Sequence, residues 1–511
     1  MQKTNRIIFL LAIIKFILPY LLQNSYYEPH RDEFLYLAEG QHLAWGYMEI
    51  PPLLSVFAWL THLFGNTMFW IKFWPDLFGA FTFIITAKII QSLGGKSFAI
   101  FLAFLPFVFG VYLRLFFLFQ PNTPEVFFWT MIAFSIIRFI QTEKNKWLYI
   151  FGISVGLGMI SKYSVAFFVV SILIGLMLTP QRKIFLNRHL YFAVIIAVLI
   201  FLPTLLWEYN HHFPVIVHMK ELQKKQLQYV SHIGFLMDQL LMNLPCVFIW
   251  LAGLYFCAFA IQGKNYRVFA WAYVFAIVLL LILQGKNYYA LGVYPVLFAF
   301  GAYHLESFAA PRYKVWKYVF VIIPFLFGIP FIPMMLPVEK PAALAEYYQK
   351  YGIGKTGILK WEDLENHPLP QDFADMLSWK EMTEKVAKAY NNLDSNEKKH
   401  TILFCDNYGE AGAVNFYGKK YYLPDAYSDN GSFLYWMPRY QHINNIVLVT
   451  DDKEEMQHPF IKDFVSAVAV DSITNIYARE HGTLIIVLKG ANETFNKMFR
   501  EKIDAKYAEF K

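Results

Sequence analysis

Charge is scarce in this sequence. Asp, Glu, Lys and Arg make up 16% of its 511 residues, while apolar types reach 57%. A soluble domain carries about 25% charge and about 45–50% apolar residues, so the deficit excludes an ordinary soluble globule. Cysteine is scarcer still. Cys246 and Cys257 sit in one apolar stretch and Cys405 lies far off in a polar tail. Neither a disulfide framework nor a zinc spacing can be drawn from these, and all three are expected as free thiols. A Walker pattern is missing too, and nothing else in the chain suggests a nucleotide site. The net charge of +7 gives no argument for nucleic acid, because cytoplasmic loops of membrane proteins collect Lys and Arg anyway.

What fills the chain is apolar sequence in lengths suited to a bilayer. Hydropathy gives about eleven spans at the ~20-residue length a membrane demands, at roughly 7–23, 68–90, 98–113, 125–141, 147–160, 163–178, 190–207, 236–260, 269–283, 289–305 and 317–336. The first follows two basic residues, as a signal peptide would. No small-residue cleavage site comes after it, and it is read as a retained helix. With the N-terminus in the cytoplasm, the loops "QSLGGKS", "QTEKNKW", "TPQRKIFLNRH", "QGKNYRV" and "ESFAAPRYKVWK" all fall inside, and each contains Lys or Arg. Residues 24–66, 114–124, 161–163, 208–235 and 284–290 then face outward, as does everything after the last span. In the first outer loop, "DEFLYLAEGQHLAWGY" has a helical rhythm, with Phe34, Leu37, Leu43 and Ala44 apolar. It is expected to lie along the membrane interface.

Near Leu336 the composition changes. Residues 337–511 are polar and mixed in charge, and "TILFC", "NNIVLVT" and "TLIIVL" resemble buried strands between helical stretches such as "SWKEMTEKVAKAY". A soluble extracytoplasmic α/β domain is expected there, following a transmembrane domain over residues 1–336.

The outer loops hold most of the ionisable groups that border the membrane: His30, Arg31, Asp32, Glu33 and Glu49; Arg114 and Glu125; Lys162; Glu208, His211 and His212; Lys286, Tyr288 and Tyr289. One such residue could simply snorkel to the interface. Five loops on one face all supplying them suggest a polar pocket at the membrane surface, suited to a substrate with an anionic head and an apolar tail. Lys162, Lys286 and Arg114 could hold phosphate oxygens by charge-assisted hydrogen bonds. Asp32 or Glu125 could take a proton from an acceptor hydroxyl. Glycosyl transfer from a lipid phosphate sugar fits that set. A transporter or flippase of a lipid-linked sugar carries the same charges, but would predict internal repeats and polar groups near the midplane.

The residues also resemble a family. "HRDEFLYLAEGQHLAWGYMEIPPL" is similar to the first outer loop of membrane glycosyltransferases of the protein-mannosyltransferase type, family 39. "FQPNTPEVFFWT", "GLGMISKYSVAF", "LPTLLWEYNHHFP", "NLPCVFIW" and "GKNYYALGVYPVLFAFGAYHLE" look like its later blocks in the same order. The likeness covers about 310 residues, and "DNYGEAGAVNFYG" in the tail also looks familiar. This resemblance implies a GT-C fold, a polyprenyl-phosphate sugar such as an undecaprenyl phosphate conjugate as donor, transfer with inversion, and no metal or other cofactor. The acceptor could be lipid, glycan or protein. By the motif match Asp32 falls on the catalytic aspartate with Glu33 beside it, and Glu125 on the second-loop acid, and these three are the expected catalytic residues. Lys286 and Tyr288 fall on the block thought to meet the lipid phosphate, with Lys162 and His211 as further candidates. Related aminoarabinose transferases carry a basic residue three positions after the aspartate and Glu-Lys-Pro after the Gly-Tyr pair. Here those positions read Leu35 and Glu49-Ile50-Pro51, which sets the chain apart from that branch.

Overall fold

The computed structural model describes residues 2–225, 227–309, 313–438 and 442–509. Its first sixteen helices are α1 (Gln2–Leu22), α2 (Arg31–Glu39), α3 (Leu53–Leu63), α4 (Met68–Ser92), α5 (Ser97–Phe109), α6 (Tyr112–Leu115), α7 (Asn122–Thr142), α8 (Lys146–Met159), α9 (Val165–Met177), α10 (Arg188–Asn210), α11 (Pro214–Lys225), α12 (His232–Leu241), α13 (Val247–Ala258), α14 (Arg267–Ile282), α15 (Tyr294–Phe308) and α16 (Val315–Gly328). After them come α17 (Ile332–Met335), α18 (Pro341–Lys350), α19 (Gln371–Ala374), α20 (Trp379–Asn391), α21 (Ser395–Lys399), α22 (Tyr408–Tyr417) and α23 (Glu493–Glu509).

Every apolar segment read from the sequence is helical, but not every one reaches across a bilayer. Among the described residues six helical segments are long and apolar enough to span, and up to eight if two bent pairs each count once. The helices α5 and α8 stop at 13 and 14 residues, about 20 Å at 1.5 Å per residue and short of the ~30 Å hydrocarbon core. That is why about eleven segments yield a smaller number of spans. The middle of the "ESFAAPRYKVWK" loop lies outside the described residues.

Packing sorts the helices into an inner and an outer set. On α10, Phe192, Ile195, Leu199 and Leu202 stay exposed, a spacing of three and four that puts them on one lipid-facing stripe. In contrast α7 buries Trp129, Ile132, Ile136 and Ile137 in the main core. The helices α13 and α15 cross at glycines: a Cβ on Gly253 would fall 2.0 Å from the Leu297 carbonyl oxygen, and one on Gly301 1.7 Å from that of Ile249. In lipid, where apolar burial gives little drive, such close backbone approach supplies the packing.

The C-terminal part contains a five-stranded sheet ordered β2-β1-β3-β5-β4, made of β1 (Thr401–Cys405), β2 (Ala426–Tyr427), β3 (Asn445–Thr450), β4 (Phe464–Ser472) and β5 (Leu484–Ala491). Strand β1 runs parallel to β2 and β3, whereas β5 is antiparallel to β3 and β4. The three expected runs form β1, β3 and β5, and α20 forms from "WKEMTEKVAKAYN". Strand β4 has no counterpart in the sequence reading. It is an edge strand whose Val465, Val468 and Val470 remain exposed, so its pattern lacks a buried face.

The helix expected along the interface differs most. Only Arg31–Glu39 is helical, and every residue from Glu33 to Glu39 is buried. Phe34 packs edge-on against Trp379, Phe416 and Tyr417, so the C-terminal domain covers the face that the sequence alone assigns to lipid or water. Below α2 lie two buried ion pairs of the membrane part, Lys72 with Glu33 and Lys15 with Asp76, the latter at 3.6 Å.

Candidate functional site

The start of α2 is fixed by its own first turn. His30 is the N-cap: its Nδ1 accepts from the Asp32 backbone N–H at 3.1 Å, and Glu33 Oε2 accepts from the His30 N–H at 2.8 Å. This reciprocal capping box satisfies two of the helix's unpaired N–H groups and aims the adjacent side chains in opposite directions.

Glu33 points down into the membrane part. Lys72 Nζ donates to its two oxygens at 2.5 and 2.7 Å, and the Phe119 N–H donates to Oε1 at 2.6 Å. Both side chains are fully buried. With the capping bond added, this carboxylate's accepting capacity is spent on protein groups, which leaves the catalytic part expected of Glu33 without a free oxygen.

Asp32 points the other way and keeps 31% of its side chain exposed. Its Oδ1 accepts from the Tyr408 hydroxyl at 2.8 Å and its Oδ2 from Gln120 Nε2 at 3.3 Å. Burial alone would raise this carboxyl. The neighbouring His30 and Arg31, the Tyr408 bond and the Lys286 charge outweigh burial and hold it below the usual aspartate range. It is therefore ionised at neutral pH.

A chain of polar contacts runs from Asp32 across the neighbouring loops. Asn122 Nδ2 donates to Gln120 Oε1 at 3.3 Å, and Lys162 Nζ donates to Asn122 Oδ1. The same ammonium lies 3.1 Å from Glu125 Oε2, and Ser164 Oγ donates to Glu125 Oε1 at 2.5 Å. Above it, Lys162 Nζ sits 4.3 Å from the Tyr289 ring centroid and 5.6 Å from that of Tyr288, within cation–π range. Lys286 caps the 3-10 turn Asn287–Val293 and is half-buried. Its charge reaches Asp32, and no carboxylate lies within ion-pair distance of it among the described residues. Residues 120–125, 162–164 and 286–289 thus meet Asp32 on one surface.

Two expected residues stand apart. Arg114 is paired with Asp372 of the C-terminal domain. His211 stacks on Trp207 at 4.1 Å between centroids, and its Nδ1 lies 2.8 Å from the Trp207 carbonyl. Neither touches the Asp32 group. Gln120, Asn122 and Tyr408 belong to the site and were not singled out from sequence, although all lie inside the quoted blocks "FQPNTPE" and "DNYGEAG". The far end of the loop that follows α2 is also pinned: Glu49 accepts from Ser432 N at 2.8 Å and from Ser432 Oγ at 2.5 Å.

Of the described residues, His30, Asp372 and Asp375 form one group with metal-like spacing. The donor set argues against a cation there. Nδ1 of His30 already accepts a hydrogen bond, so the ring proton sits on Nε2, the atom that faces the two carboxylates at 3.9 and 3.6 Å. Arg114 and Arg479 in turn hold Asp372 and Asp375.

A family model described as dolichyl-phosphate-mannose-protein mannosyltransferase matches residues 49–207, and the resemblance to family 39 read from the sequence holds there. The lipid A galacturonosyltransferase RgtD of Rhizobium johnstonii is 29% identical over 198 residues, 37% of this chain and 41% of that protein; the match thus spans about two fifths of that relative's length. ArnT from Cupriavidus metallidurans, solved with bound undecaprenyl phosphate, superposes with a TM-score of 0.61 at 12% identity, covering 94% of this chain and 97% of that one. An oligosaccharyltransferase of Archaeoglobus fulgidus superposes with a TM-score of 0.50 at 12% identity, over 87% of this chain and 68% of that one. The fold is GT-C, a membrane-embedded helical part followed by a smaller domain with a sheet.

Proposed function

We propose that this chain is an inverting glycosyltransferase that moves a sugar from a polyprenyl-phosphate donor to an acceptor hydroxyl at the outer face of the membrane. Residues 1–336 act as the transmembrane glycosyltransferase domain and residues 337–511 as an extracytoplasmic domain over it. The observation that carries this reading is the meeting of an ionised, partly exposed Asp32 with Lys162, Lys286 and Tyr288 from separate loops. The family model and the superposition on ArnT, itself solved with undecaprenyl phosphate, support it.

In this mechanism Asp32 accepts the proton of the acceptor hydroxyl as its oxygen attacks the anomeric carbon from the face opposite the phosphate. The carbon–oxygen bond to phosphate breaks, and polyprenyl phosphate leaves with the electron pair. Lys286 and Lys162 stabilise the charge that develops on the leaving oxygen, which is where preorganised cations contribute most. Glu125 holds Lys162 in place, and the Tyr288 and Tyr289 rings wall the phosphate end. Glu33 is structural here, a cap and counter-ion. Arg114 and His211 serve the domain contact and the loop after α10.

Incubating the purified protein with a panel of radiolabelled undecaprenyl-phosphate sugars and analysing the products tests the reading. Transfer to an acceptor supports it; movement of intact donor across vesicles without transfer overturns it in favour of a flippase. Orientation has its own test. The three native cysteines are buried, so an impermeant maleimide should label Lys497→Cys from outside and Lys183→Cys only after permeabilisation.

A further inference from the structure

We propose that Tyr408, contributed by the C-terminal domain, is a positioning residue for Asp32, so that the outer domain completes the site from above. The inference rests on the reading of Asp32 as the base.

Tyr408 is the first residue of α22, whose own start is fixed by Asn407 and Glu410 in a second capping box. Two glycines bring α22 hard against α2. A Cβ on Gly409 would lie 2.5 Å from Arg31 Cγ, and one on Gly412 2.8 Å from Phe34 Cβ. The approach delivers the Tyr408 hydroxyl to Asp32 Oδ1 at 2.8 Å. Arg31 lies over the ring at 4.9 Å and keeps it from turning away. Burial and the neighbouring Asp32 keep the phenol protonated well above its ordinary range, so it remains a donor wherever Asp32 is ionised.

The two Asp32 oxygens therefore have different surroundings. Oδ1 is held by Tyr408, while Oδ2 faces Gln120 and the polar chain to Lys162. A carboxylate held by one oxygen has its other lone pairs directed, and orientation of this kind is a large part of what a general base contributes. The bond also favours the ionised form. The packing of α22 on α2 would not require a hydroxyl at this place; a phenylalanine would pack as well against Arg31.

The variant Tyr408→Phe keeps the ring and removes the donor. With the undecaprenyl-phosphate sugar that the wild type consumes, kcat should fall about tenfold, with donor KM and Tm unchanged, and the acid limb of kcat/KM should move up by about one pH unit. Infrared titration of the Asp32 carboxyl band, isolated by subtracting Asp32→Asn, should show the same upward move without any turnover. An unmoved infrared midpoint, or an unchanged rate and acid limb, overturns the inference. Native turnover by Asp32→Asn overturns the base assignment instead, and the infrared midpoint still reports separately whether Tyr408 governs that carboxyl.

Discussion

Asp32 and Glu33 are neighbours in sequence and belong to different regions of the molecule. Below α2, in the membrane part, two buried acids each pair with a lysine, Glu33 with Lys72 and Asp76 with Lys15, and all four side chains are fully buried. Above it, at the rim, Asp32 is partly exposed, Lys286 has no carboxylate within ion-pair distance among the described residues, and Lys162 shares itself between Asn122 and Glu125. The floor neutralises its charges to keep the fold; the rim leaves them available for a ligand. Ion pairs taken out of water are costly to break singly, whereas rim charges keep enough water to exchange partners.

The largest test of this contrast is at the two adjacent carboxylates. Asp32→Asn should lower turnover by about 10²–10⁴-fold, the range of general acid–base assistance, with folding and donor binding intact. Lys72→Met should instead leave Glu33 charged and unpaired, cost about 3–5 kcal/mol and appear as lost monodisperse protein. Adding Glu33→Gln to it should recover much of that loss, as measured by thermal unfolding in detergent. Equal behaviour of the two sites would erase the distinction between floor and rim.

A smaller effect sharpens the distinction within the rim. Lys286→Ala and Lys162→Ala should each raise donor KM about tenfold, the worth of one charge-assisted phosphate contact. Arg114→Ala should leave donor KM alone, because its guanidinium is engaged by Asp372. Steady-state kinetics with the same donor decide between them.

The smallest effect lies in the C-terminal domain. Burial, with Glu480 and Asp406 nearby, pushes the Glu410 carboxyl well above the ordinary range. The folded state then binds this proton more tightly than the unfolded one. Its contribution is full below the unfolded glutamate pKa and is lost as pH rises through the folded value. Glu410→Gln, which keeps an oxygen for the Asn407 N–H, should flatten that loss and raise Tm by about 2–4 °C relative to wild type at alkaline pH.

Much of the rim was legible in the chain because loops that carry ionisable groups next to apolar spans are conspicuous: Asp32, Glu125, Lys162 and Lys286 all stood out. The amides Gln120 and Asn122 did not, since uncharged polar residues are ordinary in loops and only their contacts give them a role. Tyr408 is 376 positions from Asp32, a pairing no local pattern reports. Glu33 misled for a related reason. A carboxylate beside Asp32 looks like its partner until Lys72, thirty-nine residues on, is seen to claim it. The surface of α2 was misjudged because periodicity shows which face is apolar but not what covers it. The short helices were overcounted as spans because hydropathy measures composition and not reach.

Because α2 is held by the bundle through Glu33 and by the sheet domain through Phe34 and Tyr408, it is a keystone shared by two halves. A hybrid assembled by splicing the last third of a relative onto this membrane part should fail at that seam unless residues 30–39 travel with the incoming piece.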